Sequence, residues 1–382
     1  MLRVSVRPEL LQWARQRAGL EVEDLQKRFP KLVAWETREL QPTLKQLEQF
    51  AKATRAPIGY FFLEEPPTER VPIPDFRTPG NVHIGHPSPD LLDMVHVCLQ
   101  RQEWYRDFAR RNREEPHEFV GSRTTKADVV RTAAKMRATL GFNIEERRRM
   151  PTWTEALRQF IAQAEDAGIL VMCSGVVLSN NRRPLDPAEF RGFALSDAFA
   201  PLVFINGADT KAAQMFTLAH ELAHIWLGES AVSDTRAASF PNHEVESWCN
   251  RVAAELLVPI DALRSVEGLN TRDPLSEMSR LARHFKVSTL VILRRVHDAG
   301  WISRETLWQA YDEELARLRS IPRGEGGNFY FTQAVRLSRR FARALVMSTL
   351  GGETLYRDAF RMLGVKKLAT FQELGRNLGV PI

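Results

Sequence analysis

The sequence predicts an α+β fold, mostly helical, with a small sheet in the middle of the chain. Three observations carry that expectation. Apolar residues recur at three- and four-residue spacing through most of the 382 residues. Three short apolar runs near the middle are bounded by Gly, Asn, Asp and Pro, and proline- or glycine-rich stretches divide the chain into pieces. At roughly 100–200 residues per domain, the length suggests two or three domains with interior enough for a sizeable core.

Residues 7–17, 21–28, 31–38 and 43–54 read as four short helices, broken at Gly19, Phe29-Pro30 and Gln41-Pro42-Thr43. Four short helices joined by tight turns predict an all-α helix-turn-helix domain over 1–63. Residues 64–90 hold seven prolines. Each fixes φ and removes an amide donor, so this stretch reads as an extended linker lying against the next domain. Helical periodicity returns over 91–166, in the pieces 91–111, 127–141 and 153–168. The runs 168–176, 190–196 and 201–206 read as strands, and the last as a sheet edge to which another strand can add. From Thr210 the helical period resumes, giving a central domain over 167–300. The Gly-rich 321–329 sets off a basic, helical C-terminal region, taken as 301–382.

Composition narrows the function classes. Apolar residues make up 44% and charged residues 26% of the chain, which excludes a disordered or fibrous polypeptide. Three widely spaced cysteines, Cys98, Cys173 and Cys249, form neither a disulfide framework nor a cysteine zinc knot. The charged N-terminus carries no apolar signal region, and no run approaches the 18 or so apolar residues of a membrane span. The expectation is a soluble, reduced, cytoplasmic protein with no membrane partner. Net charge is +6, but residues 1–63 hold 11 Lys+Arg against 7 Asp+Glu and residues 301–382 hold 13 against 8. Basic ends permit nucleic-acid contact without demanding it. No glycine-rich phosphate loop supports nucleotide hydrolysis.

The strongest chemical signal is His220-Glu221-Leu222-Ala223-His224, inside an apolar stretch free of Pro and Gly. On a helix, positions i and i+4 share one face, so both imidazoles reach one ion. Zinc held by three protein ligands keeps a fourth position open and lowers the pKa of water there to about 7. Glu221, beside the first ligand, is placed to hold and deprotonate that water. Two imidazoles and a carboxylate on one apolar helix are costly to bury inert.

The third ligand has candidates in the next helical segment: His243, Glu244, Glu246 and Glu255. At 100° per residue, Val245, Cys249, Val252, Ala253 and Leu256 define its apolar face. Glu246 falls on the flank of that face, beside Ala253 and Leu257. Glu255 falls on the opposite flank, where a solvated carboxylate is expected. Glu246 is the better ligand, with Asn250 one turn later as a supporting partner.

The run MFTLAHELAHIWLG, followed by VESWCNRVAAELLVP, resembles the ImmA/IrrE family of metallopeptidases. That family pairs an HExxH helix with a helix E-x-x-A-N-x-F-A-A-x-L-L-x-P. Glu246, Asn250, Ala253, Ala254, Leu256, Leu257 and Pro259 match it, while Cys249 and Val252 replace its alanine and phenylalanine. The resemblance implies a zincin-like domain with His220, His224 and Glu246 on zinc and Glu221 as the catalytic carboxylate. Residues 8–63 resemble an Xre/Cro-type helix-turn-helix, and 281–303 a second, similar subdomain following the peptidase core. The implied function is a zinc endopeptidase and transcriptional regulator cleaving a repressor or antitoxin protein, in a bacterial or phage-like, toxin–antitoxin setting. The other reading is a DNA-binding repressor or antitoxin whose zinc site is structural or vestigial, and a third is an interaction scaffold.

The candidate recognition helix, Lys31 to Glu39, lacks a polar start: Leu32, Val33 and Trp35 read as packing residues, and Glu36 and Glu39 would repel phosphates. Lys27, Arg28, Lys31 and Arg38 remain to grip a DNA backbone. Helix-turn-helix domains pair on two-fold sites, so a homodimer is the default expectation. His83, His86, His96 and His117 lack ligand spacing, whereas His284 and His297 could approach the zinc site. Trp13, Trp35, Trp226 and Trp248 read as core, and Arg336, Arg339, Arg340 and Arg343 as one basic face.

Overall fold

A computed structural model describes residues 3–75, 87–233, 243–319 and 336–381. His83, His86 and the Gly-rich 321–329 lie outside them. The chain divides into two compact units, 1–72 with 79–96 and 73–78 with 97–382. Among the described residues, no helix is long and apolar enough to cross a membrane.

The first unit holds α1 (Pro8–Arg17), α2 (Val22–Gln26), α3 (Leu32–Glu36), α4 (Leu44–Thr54) and a 3-10 turn (Ile58–Phe62). Thr43 caps α4 by accepting from the Gln46 amide, while the Gln46 side chain accepts from the Thr43 amide. The core gathers Leu10, Leu11, Phe29, Trp35, Leu47, Phe50 and Phe61. Two expectations fail here. Val33 is 49% exposed, because the five-residue α3 buries only Leu32 and Trp35. Glu36 turns inward to pair with Arg15 at 3.0 Å instead of facing solvent. Trp13 is half-buried, tilted against Tyr60 with Arg17 over its ring.

α5 (Pro89–Arg111) comes next, and its residues from Val97 onward belong to the second unit. Then come α6 (Val129–Leu140), α7 (Ile144–Arg149), α8 (Trp153–Asp166), β1 (Leu170–Ser174), β2 (Gly192–Leu195), β3 (Leu202–Asn206), α9 (Lys211–Leu227), β4 (Ala231–Ser233) and α10 (Glu244–Leu257). α11 (Ile260–Arg264), α12 (Met278–Phe285), α13 (Thr289–Asp298), α14 (Arg304–Arg319), α15 (Arg339–Leu350), α16 (Tyr356–Leu363) and α17 (Leu368–Asn377) complete the unit. α7 and β4 depart from the expectation: α7 is one apolar residue followed by five charged ones and shows no apolar period, and β4 has only three residues.

The sheet runs β1-β3-β2-β4, with β1 parallel to β3 and the other pairs antiparallel. The strand expected at a sheet edge, β3, is therefore interior, and β4 is the edge beyond β2. Every residue of all four strands is buried, which explains why β1, β2 and β3 read as apolar runs without alternation. α9 lies against β2, β3, α8 and α10. Thr210 caps its start, and Gly228 ends it in the left-handed region at φ +78°. Trp226 and Trp248 are fully buried.

Three further expectations are corrected. Glu255 is only 4% exposed and pairs with Arg295, whose Nε also donates to Val258 O. Helical phase puts Glu255 on the flank opposite Glu246, and α13 packs over it. Arg340 turns inward to Tyr105 and Glu114, so the basic face keeps only Arg339 and Arg343 exposed. His284 and His297, on α12 and α13, do not join the side chains that converge with His220 and His224.

Candidate metal centre

α9 places His220 and His224 one turn apart, and α10 lays Glu246 across from both. His220 Nε2 stands 3.1 Å from His224 Nε2 and 3.3 Å from Glu246 Oε2, and His224 Nε2 is 3.0 Å from Glu246 Oε1. Bonds of about 2.0–2.1 Å to a tetrahedral ion separate neighbouring ligand atoms by roughly 3.3 Å. The three donors already stand at that spacing. Among the described residues they are the one group of His, Cys, Asp or Glu side chains so convergent.

Asn250, one turn below Glu246, accepts from His220 Nδ1 at 3.0 Å. That bond puts the proton on Nδ1 and turns the Nε2 lone pair toward the shared point, the tautomer a metal ligand needs. Of the other acidic or basic groups offered by that helix, His243 and Glu244 are exposed at its start and Glu255 faces Arg295. The helical phase separates them: Glu246, Asn250, Ala253 and Leu257 share the side facing α9.

Glu221 is fully buried, and neither of its carboxylate oxygens has a hydrogen-bond partner. Burial, and then the charge of Glu246, push its carboxyl well above the usual range. Burial pulls the His224 imidazole down, against the charge and hydrogen bond of Glu246. For Glu246, burial pushes upward, but the two facing imidazoles outweigh it and hold the carboxyl below the usual range. Burial and the two carboxylates keep the Cys249 thiol protonated, so it offers no thiolate. A buried carboxylate without partners, beside two imidazoles and a second carboxylate, is the electrostatic situation that a divalent cation resolves. The residues present fit zinc.

Two residues of this surround were missed from the sequence. Ser233, on β4, has its hydroxyl 3.3 Å from His224 Nε2 and 3.4 Å from Glu246 Oε1. Gly192, on β2, is where a Cβ would come within 2.6 Å of Thr217 Cγ2, 2.8 Å of Phe204 O and 3.1 Å of Glu221 Oε1. Ser233 gave no signal, because a three-residue strand has no readable pattern. Gly192 did: a glycine inside an apolar strand marks a close approach.

The residues expected to contact DNA belong to the first unit, which contributes none of these donors. Lys27, Arg28 and Lys31 are exposed between α2 and α3, and Arg38 is exposed and paired with Glu9 at 3.0 Å. A family model described as an IrrE N-terminal-like domain, of the M78 peptidases, matches residues 164–297. A second, described only as a domain of unknown function, matches residues 337–377. No curated protein and no solved structure matches the chain. The first match runs from the end of α8 through α13 and so contains the whole His220, His224 and Glu246 cluster. It supports a metallopeptidase-like function for the stretch that builds the centre.

Proposed function

We propose that this chain is a zinc-dependent endopeptidase acting on a protein substrate. One observation carries the reading: His220, His224 and Glu246 converge at tetrahedral spacing with the unpartnered carboxylate of Glu221 beside them. The two Nε2 atoms and Glu246 would hold zinc. Bound there, zinc supplies Lewis acidity toward water and the scissile carbonyl. Glu221 takes a proton from the attacking water and gives it to the leaving amide nitrogen, so a C–O bond forms as the C–N bond breaks. Asn250 holds the His220 ring in register throughout.

Elemental analysis and hydrolysis of fluorescein-labelled casein test this. The expected result is about one zinc per chain, lost in His224→Ala and Glu246→Ala. Glu221→Gln should keep zinc and lose hydrolysis; equal hydrolysis by that variant would overturn the assignment.

The burial of the cluster, with both histidines 0% and Glu246 3% exposed, favours a second reading: a structural metal in a DNA-binding regulator. Lys27, Arg28, Lys31 and Arg38 would then grip the phosphates from an Xre-type helix-turn-helix dimer. Resemblance to the ImmA/IrrE family points instead to a repressor or antitoxin as the cleaved protein. A gel shift with the gene's upstream DNA separates the two. The regulator predicts binding that weakens steeply with salt in the complete absence of casein hydrolysis.

A further inference from the structure

The edge of the sheet that borders the metal centre is already bridged, by a short segment of the chain itself. β4 is antiparallel to β2 with Val232 opposite Phe193. Val232 N–H donates to Pro74 O at 2.9 Å, and Asp75 bridges Val232 in parallel. Amides alternate along a strand, so Ala231 and Ser233 turn toward β2 and Val232 turns outward. The outward amide of this three-residue strand is therefore spent on the segment Ile73–Asp75.

The next residue, Ser233, touches both His224 and Glu246. At about 3.3 Å per residue, anything paired with Val232 lies one residue's rise along the strand from Ser233. Sheet edges take extended peptides through main-chain bonds, so this edge is where a polypeptide would be presented to Glu221 and the ion. Buried as the three donors are, a polypeptide reaches them only when what covers them moves.

The segment is poorly made for a permanent ladder. Pro74 has no N–H, and a proline two residues earlier, Pro72, has none either. Pro74 and Asp75 are exposed and Ile73 is half-buried. An ordinary peptide, with an amide at every residue, can make more bonds to the same edge.

We propose that Ile73–Asp75 is an intramolecular competitor for the strand-accepting edge of β4, and that an extended protein segment binds by displacing it. This rests on the peptidase reading for the identity of the partner, but its test does not use activity. Zinc-loaded full-length Glu221→Gln is compared with the same chain carrying Ile73→Gly, Pro74→Gly and Asp75→Gly. Amide hydrogen exchange is followed over β4, α9 and α10, and binding of fluorescein-labelled casein by anisotropy.

The glycine variant should exchange about tenfold faster at β4, with α9 and α10 unchanged as evidence of an intact fold. It should bind casein at least about fivefold tighter, because glycine's backbone freedom raises the entropic cost of holding the intramolecular occupant in place. Added casein should restore protection at β4. Unchanged exchange at β4, equal casein affinities, or casein binding that leaves β4 unprotected would each overturn the proposal. Casein hydrolysis by the chain with Glu221 intact decides the peptidase reading separately, so either can fail alone.

Discussion

Asn250 sets which way the His220 ring presents its two nitrogens. It accepts from Nδ1, which leaves Nε2 for a cation. Asn250→Ala should therefore weaken zinc binding by about 10–100-fold, read by competition with a chromogenic chelator, while helix content stays the same. Gly192→Ala asks for space that does not exist, between the Thr217 methyl and the Phe204 carbonyl. We expect a loss of about 1–3 kcal/mol in urea denaturation and a displaced Glu221, seen as reduced casein hydrolysis. His220, Glu221 and His224 are visible from their spacing alone, since i and i+4 on a helix is a complete geometric statement. Glu246 was visible only as a choice among four, and Ser233 not at all.

At the scale of elements, α9 and α10 are the parts that matter, and their ends are fixed by different means. Gly228 closes α9 in a left-handed turn, where an added Cβ would stand 2.9 Å from Gly121 Cα. α10 is held at its far end by Glu255, which receives Arg295 from α13. Arg295→Ala would leave that carboxylate buried without its partner and should cost about 3–5 kcal/mol in urea denaturation. Replacing both members of the pair, with Glu255→Leu and Arg295→Met, should recover much of the loss. The sequence placed Glu255 on its correct flank but predicted solvent there, because helical phase says which way a residue points and not what lies in that direction.

At the scale of the second unit, Glu165 at the end of α8 ties the C-terminal helices to the core. It accepts from Ser338 Oγ at 2.5 Å and from the Arg339 amide at 2.8 Å. Burial pushes its carboxyl up to about 7, against the hydrogen bonds from Ser338 and Arg339. The folded state thus holds a proton that the unfolded chain releases at its ordinary, lower value. Its stabilising effect is complete below roughly pH 4.5 and is lost as pH rises to about 7, a fall on the order of 3 kcal/mol. Thermal melts between pH 4.5 and 8 should show that decline, and Glu165→Gln should flatten it.

The sequence by itself determined most of the helices, three of the four strands, and the pair of imidazoles with their neighbouring carboxylate, because each of these is written within one element. Periodicity also set Glu246 and Asn250 on one side of their helix. Only the tertiary structure decided that this side faces α9, that the third predicted strand lies inside the sheet, and that Glu255 is buried. It alone brought Ser233 against the centre and seated Ile73–Asp75 on β4. Those facts join residues far apart in the chain through backbone bonds and packing, and such contacts leave no mark on local spacing.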